Sequence, residues 1–169
     1  MFKTVLLASL VVAISVEPSL AWQANTEGPD VFGVTKVLAT EGNDRESLVV
    51  QCDSKDVLFV AYIMRKKEFD AVTEGPATLY LQGNGPTPLK LDASIRAWND
   101  NYAGIVAVGR VPEVMAAIQE IKNTKGKVNV GYDIAGNRDS ASFSSRGSKA
   151  AMQRVIDSCK LSDIAPPPT

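Results

Sequence analysis

The sequence predicts a mainly β protein: an antiparallel β-sandwich or open barrel of about eight short strands with two helices, the last pinned by a disulfide. Three observations support this prediction. Short apolar or alternating stretches follow one another between residues 32 and 145, separated by turn-forming residues. Apolar residues recur at helical spacing twice, once between late strands and once near the end of the chain. The 169 residues include two cysteines, one early and one in the last helix.

The first 21 residues have the layout of a secretory signal peptide. Lys3 precedes an apolar run from Val5 to Val16, and Ser19-Leu20-Ala21 forms a small-x-small cleavage motif. The apolar run is about a dozen residues, which is short for a membrane-spanning helix, and an uncleaved anchor is the alternative. We therefore expect cleavage after Ala21, a periplasmic or secreted protein, and no integral membrane segment after cleavage.

The remaining chain reads as one domain with loose ends. Residues 22–31 are polar with Gly and Pro, which predicts a flexible N-terminal segment, and residues 162–169 predict a disordered, proline-rich tail. Residues 32–161 form the predicted single β-rich domain. With a formal net charge of −1, the protein has no overall positive potential that would attract nucleic acid, so no nucleic-acid partner is expected.

The predicted strands are defined by β-branched or alternating apolar residues. Ser54-Lys55 and Gly83-Asn84-Gly85-Pro86 separate neighbouring stretches in the manner of hairpin turns. The predicted strands are 32–40, 47–53, 56–64, 77–82, 87–93, 103–109, 127–133 and 140–145.

Two amphipathic helices are predicted. The first covers 111–123, has Pro112 in its first turn, and carries Val114, Met115, Ile118 and Ile121 on one face. The second lies within 146–160, with Ser145 or Ser148 as the expected cap. Its apolar face contains Met152, Val155, Ile156 and Cys159, which are spaced i, i+3, i+4 and i+7.

Export and the cysteine count predict a structural disulfide. With two cysteines only one pairing exists, Cys52 with Cys159. Cys159 lies on the apolar face of its predicted helix, which would point it at the core, where it could meet a cysteine on a strand. A redox-active pair is the alternative, but the cysteines are far apart in sequence and the chain has no histidine to tune a thiolate.

The second half of the chain resembles small exported bacterial proteins. Its lysine-flanked strand KGKVNVGYD, the short strand SASFSS and the helix RGSKAAMQRVIDSC, which ends in cysteine, follow one another in order. The strands SLVVQCDSKDVLFVAYI around the first cysteine add to the likeness. This arrangement resembles the invasion-associated locus B family and accessory proteins of type VI secretion. The resemblance covers roughly residues 30–161 and implies a fold, export and a disulfide; invasion-locus proteins often carry further cysteines.

The absence of histidine excludes several kinds of chemistry. Ser-His-Asp and Cys-His nucleophile systems and imidazole metal sites are ruled out, and no phosphate-binding loop is present. Acidic residues remain as the route to catalysis, in the pairs Glu68 with Asp70 and Asp53 with Asp56, although such residues also favour solvated turns. The loop 133–140 contains oxygen ligands without calcium-loop spacing. We expect no catalytic residues, no metal and no cofactor.

The segment 94–104, SIRAWNDNYAG, is the predicted binding loop. It places Arg96, Trp98, Asn99 and Tyr102 close together, and Trp, Tyr and Arg dominate binding hot spots. The alternative is that Trp98 packs under the sheet edge, because large rings usually bury.

These observations predict an exported, non-enzymatic binding or accessory module that acts on an unknown protein or envelope component. Two alternatives remain. One is an enzyme with a carboxylate pair acting on cell-wall glycan, which requires two acids facing one cleft. The other is a purely structural envelope protein.

Overall fold

A computed structural model describes residues 21–55, 57–66, 74–109 and 111–164. Over these residues the chain forms nine strands in one antiparallel sheet, in the order β1-β2-β3-β4-β7-β6-β5-β8-β9, with two α-helices. The strands are β1 Gln23–Glu27, β2 Lys36–Gly42, β3 Glu46–Asp53, β4 Leu58–Arg65, β5 Gly75–Gln82, β6 Leu89–Ala97, β7 Tyr102–Val108, β8 Lys127–Ile134 and β9 Asn137–Ser144. The helices are α1 Pro112–Asn123 and α2 Ser148–Ser158, and a short 3-10 turn covers Leu161–Asp163. The predicted mainly β fold is confirmed.

The sheet curls back on itself around an apolar interior. The ring of Tyr62 on β4 lies 6.1 Å from that of Tyr132 on β8 and 6.0 Å from that of Phe143 on β9. Three other strands separate β4 from β8 in the sheet order, so these contacts cross the interior. The curled single sheet corresponds to the open-barrel alternative of the predicted fold, with β1 and β9 as its two edge strands.

The two helices fill the concave face of the sheet. They pack against each other, with α2 over β1, β2 and β3 and α1 over β4, β5 and β6. The buried residues of α1 are Val114, Met115, Ala117, Ile118 and Ile121, which join one core with the inward side chains of the strands. The predicted inward face of α2 is confirmed, since Met152, Val155 and Ile156 are buried. This packing supplies most of the helices' stability, because short isolated helices are marginal in water.

The cap predicted for α2 is wrong. Neither Ser145 nor Ser148 caps it; the N-cap is Gly147, at φ +80° and without a side-chain hydrogen bond. Glycine adopts this left-handed conformation without strain. A β-carbon at Gly147 would also lie 3.2 Å from the carbonyl oxygen of Trp22, so the position is crowded as well.

The predicted disulfide is confirmed. Cys52 on β3 and Cys159, which directly follows α2, are bonded with their Cα atoms 6.3 Å apart and 107 residues apart in sequence. Both residues are buried in the interior. In the chain-entropy account, closing so long a loop stabilises the folded state by up to about 4–5 kcal/mol.

The expected chain ends need correction where the structure describes them. Within the predicted flexible segment 22–31, the side chain of Trp22 is buried and Gln23–Glu27 pair with β2. Within the predicted tail 162–169, Ser162 and Asp163 belong to the 3-10 turn and Ile164 packs against the core. The predicted signal peptide, apart from Ala21, and residues 165–169 lie outside the described residues.

Neighbouring residues of α2 provide a test of its packing. Met152→Ala, at a fully buried position, should lower the free energy of unfolding by about 2–5 kcal/mol through lost burial and a cavity. Gln153→Ala, on the exposed face, is the matched control and should change it by less than about 0.5 kcal/mol. Urea denaturation of both variants measures the difference. Equal losses would show that the helix packs through another face.

Candidate functional site

The predicted binding loop is a tight hairpin between β6 and β7, and Asn99 builds its turn. The Oδ1 atom of Asn99 accepts hydrogen bonds from the backbone N–H groups of Asn101 and Tyr102, at 2.9 and 3.0 Å. The N–H of Trp98 donates to the carbonyl oxygen of Tyr102 at 2.9 Å. Asn99 is therefore occupied in local structure.

Tyr102 also has a structural role. Its hydroxyl donates to the carbonyl oxygen of Asp44 at 2.8 Å, in the turn between β2 and β3. The carboxylate of Asp44 pairs with Arg65 at 2.9 Å. These contacts connect the two turns at one end of the sheet.

Trp98 lies across the outer face of the sheet. Its ring meets that of Phe59 edge-on at 5.8 Å, and it passes over Gly104, where a β-carbon would lie 3.2 Å from the ring. The residue is 36% exposed and adjoins an outer apolar cluster of Val49, Phe59, Ala61, Ile63 and Val106. Most of its surface thus contributes to packing, as in the alternative interpretation of this loop.

Arg96 shares this outer face, since it is paired in register with Gly104. The structure therefore brings Arg96 and Trp98 together around Gly104, whereas Asn99 and Tyr102 maintain the turn. Arg96 forms no ion pair within the described part of the chain.

The acidic residues considered for catalysis or calcium binding hold turns where they are described. Asp53 accepts from the N–H groups of Lys55 and Val57. Asp133 accepts from the N–H of Gly136 and pairs with Arg138 at 2.6 Å; these contacts lower the pKa of Asp133, the Arg138 hydrogen bond most. The residues Asp56, Glu68 and Asp70 lie outside the described residues. No group of three or more Cys, His, Asp or Glu side chains within the described ranges could hold a metal ion.

A shallow groove runs along the outer face of β5, β8 and β9. Gly131 forms its floor, because the missing side chain leaves space between Tyr80 and Ser140. Arg138 and Asp139 lie at one end. Asp139 is the one acid that lines it among the described residues, so the groove supplies no pair of convergent carboxylates.

Exposed apolar residues concentrate at one end of the sheet. Large hydrophobic residues exposed in the described ranges are Val31 (92%), Phe32 (77%), Val57, Val108, Val111 and Trp98, and all except Trp98 lie at this end. Val57 and Val108 adjoin the paired β4 and β7, and the side chain of Val111 approaches Gly109. We call Val31, Phe32, Val57, Val108 and Val111 the apolar end. Isolated exposed valines are common, whereas exposed apolar patches are typical of interaction sites, so the apolar end is a candidate interaction site.

An ordered loop holds the two most exposed members in water. The Oδ1 atom of Asp30 accepts from the N–H groups of Phe32 and Val34, at 2.8 and 2.9 Å, and the N–H of Asp30 donates to the carbonyl oxygen of Val34. The hydrogen bonds from Val34 and Phe32 lower the pKa of Asp30, so the carboxylate stays charged at neutral pH. The turn therefore displays Val31 and Phe32 in a fixed conformation.

Two lysines accompany the apolar end. The Nζ atom of Lys55 lies 6.0 Å from the centre of the Phe32 ring, and Lys36 opens β2. The carboxylates of Asp30 and Asp53 are directed at the backbone of their own turns. Glu27, paired with Lys36 in register, is an exposed acid nearby.

The sequence does not predict the apolar end, because its pattern places Phe32 at the start of a strand. The strand predicted for 32–40 starts instead at Lys36, since the Asp30 turn occupies the preceding residues. An available signal was the order Asp30-Val31-Phe32-Gly33, in which a turn-forming Asp and Gly enclose two apolar residues.

The chain has no match in comparisons with known proteins: no family model, curated protein or solved structure is significantly similar to it. The resemblance to the invasion-associated locus B and type VI secretion accessory proteins stays a prediction. None of the helices in the described ranges is long and apolar enough to cross a membrane.

The outer face gives a test that separates packing from binding in the 94–104 loop. Trp98→Ala should lower the free energy of unfolding by about 2 kcal/mol, because contacts with Phe59 and the strand below are lost. Arg96→Ala, beside it, should change the value by less than about 0.5 kcal/mol. Thermal and urea unfolding provide the measurement. A Trp98→Ala protein as stable as wild type would mean that the ring does not stabilise the sheet.

Proposed function

We propose that this protein is an exported, non-enzymatic accessory module that binds reversibly to the surface of an envelope lipid bilayer through the apolar end. The observation that carries the proposal is the ordered display of Val31 and Phe32, at 92% and 77% exposure, beside three further exposed valines. At these exposures the two side chains gain little from burial within the monomer. The arrangement becomes favourable when binding to the bilayer removes the two side chains from water.

The energetic scale fits peripheral binding. Full burial of a Val or Phe side chain contributes about 1.5–3 kcal/mol, so Val31 and Phe32 together supply roughly 3–6 kcal/mol. A single myristoyl chain gives marginal, reversible binding with an association constant of about 10⁴ M⁻¹. Val57, Val108 and Val111 are exposed by 41%, 54% and 41%, so they have less surface left to bury and add less. The apolar end would therefore attach and detach, and stable retention would need a second contact.

The shape of the apolar end favours a bilayer over a protein pocket. Its members come from three separate turns, and Val31 at 92% exposure projects beyond its surroundings. A bilayer interface accepts separate projections without shape complementarity, whereas a protein partner needs a matched cavity for each. Lys55 beside Phe32 resembles an interfacial anchor, with the ring in the acyl boundary and the ammonium among headgroups.

Electrostatics contribute a smaller term. A lysine near an anionic surface is worth about 1 kcal/mol, and Glu27 offsets Lys36 at this end. We therefore expect anionic lipid to strengthen binding by no more than about tenfold over zwitterionic lipid. Export, predicted from the first 21 residues, would place the protein where membrane surfaces are available.

Vesicle sedimentation tests the proposal with two variants of the loop. The protein should bind phosphatidylcholine vesicles, and more strongly those with phosphatidylglycerol, while the double variant Val31→Ser/Phe32→Ser should lose at least about tenfold in affinity. Phe32→Trp is the matched control: it should keep binding, with an indole emission that shifts to the blue on insertion. All three proteins should melt alike, because the altered side chains are exposed.

Two outcomes would contradict this function. One is the absence of wild-type binding to either vesicle; the other is undiminished binding by the double serine variant. A photoreactive residue at position 32 in the cell envelope then identifies the occupant. Adducts to lipid would support binding to the bilayer. Adducts to a single protein would show instead that the apolar end binds a protein partner.

A further inference from the structure

Glu41 is a buried acid at the seam between the two edges of the sheet. It lies on β2 with its side chain on the same inward face as Val37 and Ala39, and it is 5% exposed. The β1–β2 pairing ends with Gln23 and Thr40, so Trp22 and Glu41 are the next residues of the two chains beyond the last pair. On its other side Glu41 is paired with Leu48, which is apolar.

The carboxylate of Glu41 is incompletely satisfied. Its Oε2 atom is buried and has no hydrogen-bond partner, the one such side-chain atom in the described ranges. Burial raises the pKa of Glu41, and a hydrogen bond from the Ser144 N–H opposes the rise. No ion pair joins Glu41 to a cation within the described ranges, and Arg154 on α2 donates instead to the carbonyl oxygen of Ala24. A buried carboxylate without a cation is costly, so this oxygen calls for an explanation.

The backbone nitrogen of Trp22 bonds to the stretch of chain that also borders Glu41. It donates to the carbonyl oxygen of Arg146 at 2.9 Å, and the indole Nε1 of Trp22 donates to the carbonyl oxygen of Ser144 at 2.9 Å. Residues 144–146 at the end of β9 therefore receive bonds from Trp22 and supply the amide that contacts Glu41. Residue 22 and Glu41 meet at one short stretch of chain.

Cleavage after Ala21 would change the chemistry of this nitrogen. Hydrolysis by an external peptidase breaks the bond between the Ala21 carbonyl carbon and the Trp22 nitrogen; water supplies the hydroxyl to Ala21 and a proton to Trp22. At neutral pH the freed amine takes up a further proton, because α-amino groups titrate near pH 7.7–8.0. A neutral amide with one donor becomes an ammonium with three.

We propose that Glu41 is the binding site for the α-ammonium of Trp22, so that removal of the leader completes a buried ion pair across from the end of β9. One N–H of the ammonium keeps the Arg146 carbonyl, and the others are available to the orphaned Glu41 oxygen. In the cleaved chain the ion pair holds residue 22 to Glu41. In the uncleaved precursor the Trp22 nitrogen is an uncharged amide, so this contact is weaker. This inference does not depend on the proposed membrane function.

A cycle of four proteins tests the proposal: chains starting at Trp22 or at Ala21, each with Glu41 or with Glu41→Gln. With Glu41, the equilibrium constant for unfolding at pH 7 should be at least about tenfold smaller for the chain that starts at Trp22. With Glu41→Gln, the two chains should agree within about threefold. Glu27→Gln, an exposed acid on β1, is the matched control and should preserve the tenfold difference. Equal stabilities of the two Glu41 chains would overturn the proposal.

Acetylation and carboxylate titration keep the test decisive should Glu41→Gln fail to fold. Acetylating the chain that starts at Trp22 should reproduce the stability of the chain that starts at Ala21, because the Trp22 nitrogen is an uncharged amide in both. By NMR, Glu41 should titrate above the ordinary glutamate range in the chain that starts at Ala21 and below it in the chain that starts at Trp22. Identical titration in both chains, or no effect of acetylation, would show that the ammonium does not bind Glu41.

Discussion

A sheet that curls until β4 contacts β8 and β9 encloses an apolar space, and two helices fill most of it. The other features depend on this packing. α2 lies over the first three strands and α1 over β4, β5 and β6, so the two helices cover different parts of the inner face. The disulfide between Cys52 and Cys159 holds the end of α2 to β3 and prevents the last helix from leaving the interior. With the interior fixed, the turns at both ends of the sheet have defined positions.

Much of the fold was predictable because its signals are local. Alternation and turn residues identified eight strands, and helical spacing placed Met152, Val155 and Ile156 inward. β1 was missed because its residues, QANTE, include no large apolar side chain. That strand exists because its backbone pairs with β2 and because Trp22, directly before it, is anchored in the interior. Such pairing is a long-range property that no short window of sequence contains.

The candidate site was less predictable than the fold. Rings and a cation in 94–104 drew attention to that loop, yet Asn99 and Tyr102 are used in turns, and Trp98 mostly covers the sheet. The exposure of Val31 and Phe32 depends on where the Asp30 turn directs them, which composition does not reveal. Glu41 was equally hidden, because an acid in an alternating strand usually faces solvent, and here the register turns it inward.

The edges of the sheet have a consequence for behaviour at high concentration. Open edge strands invite pairing with other molecules and hence aggregation. The β1 edge is covered in part by α2, through Arg154 and the carbonyl of Ala24. The end of β9 is closed by Trp22, and the rest of that strand carries Arg138, Asp139 and serines, with the Ser140 N–H turned to the Asp139 carboxylate. An incoming strand would have to displace that carboxylate and would find few apolar side chains, so β9 is a poor template for pairing with another molecule.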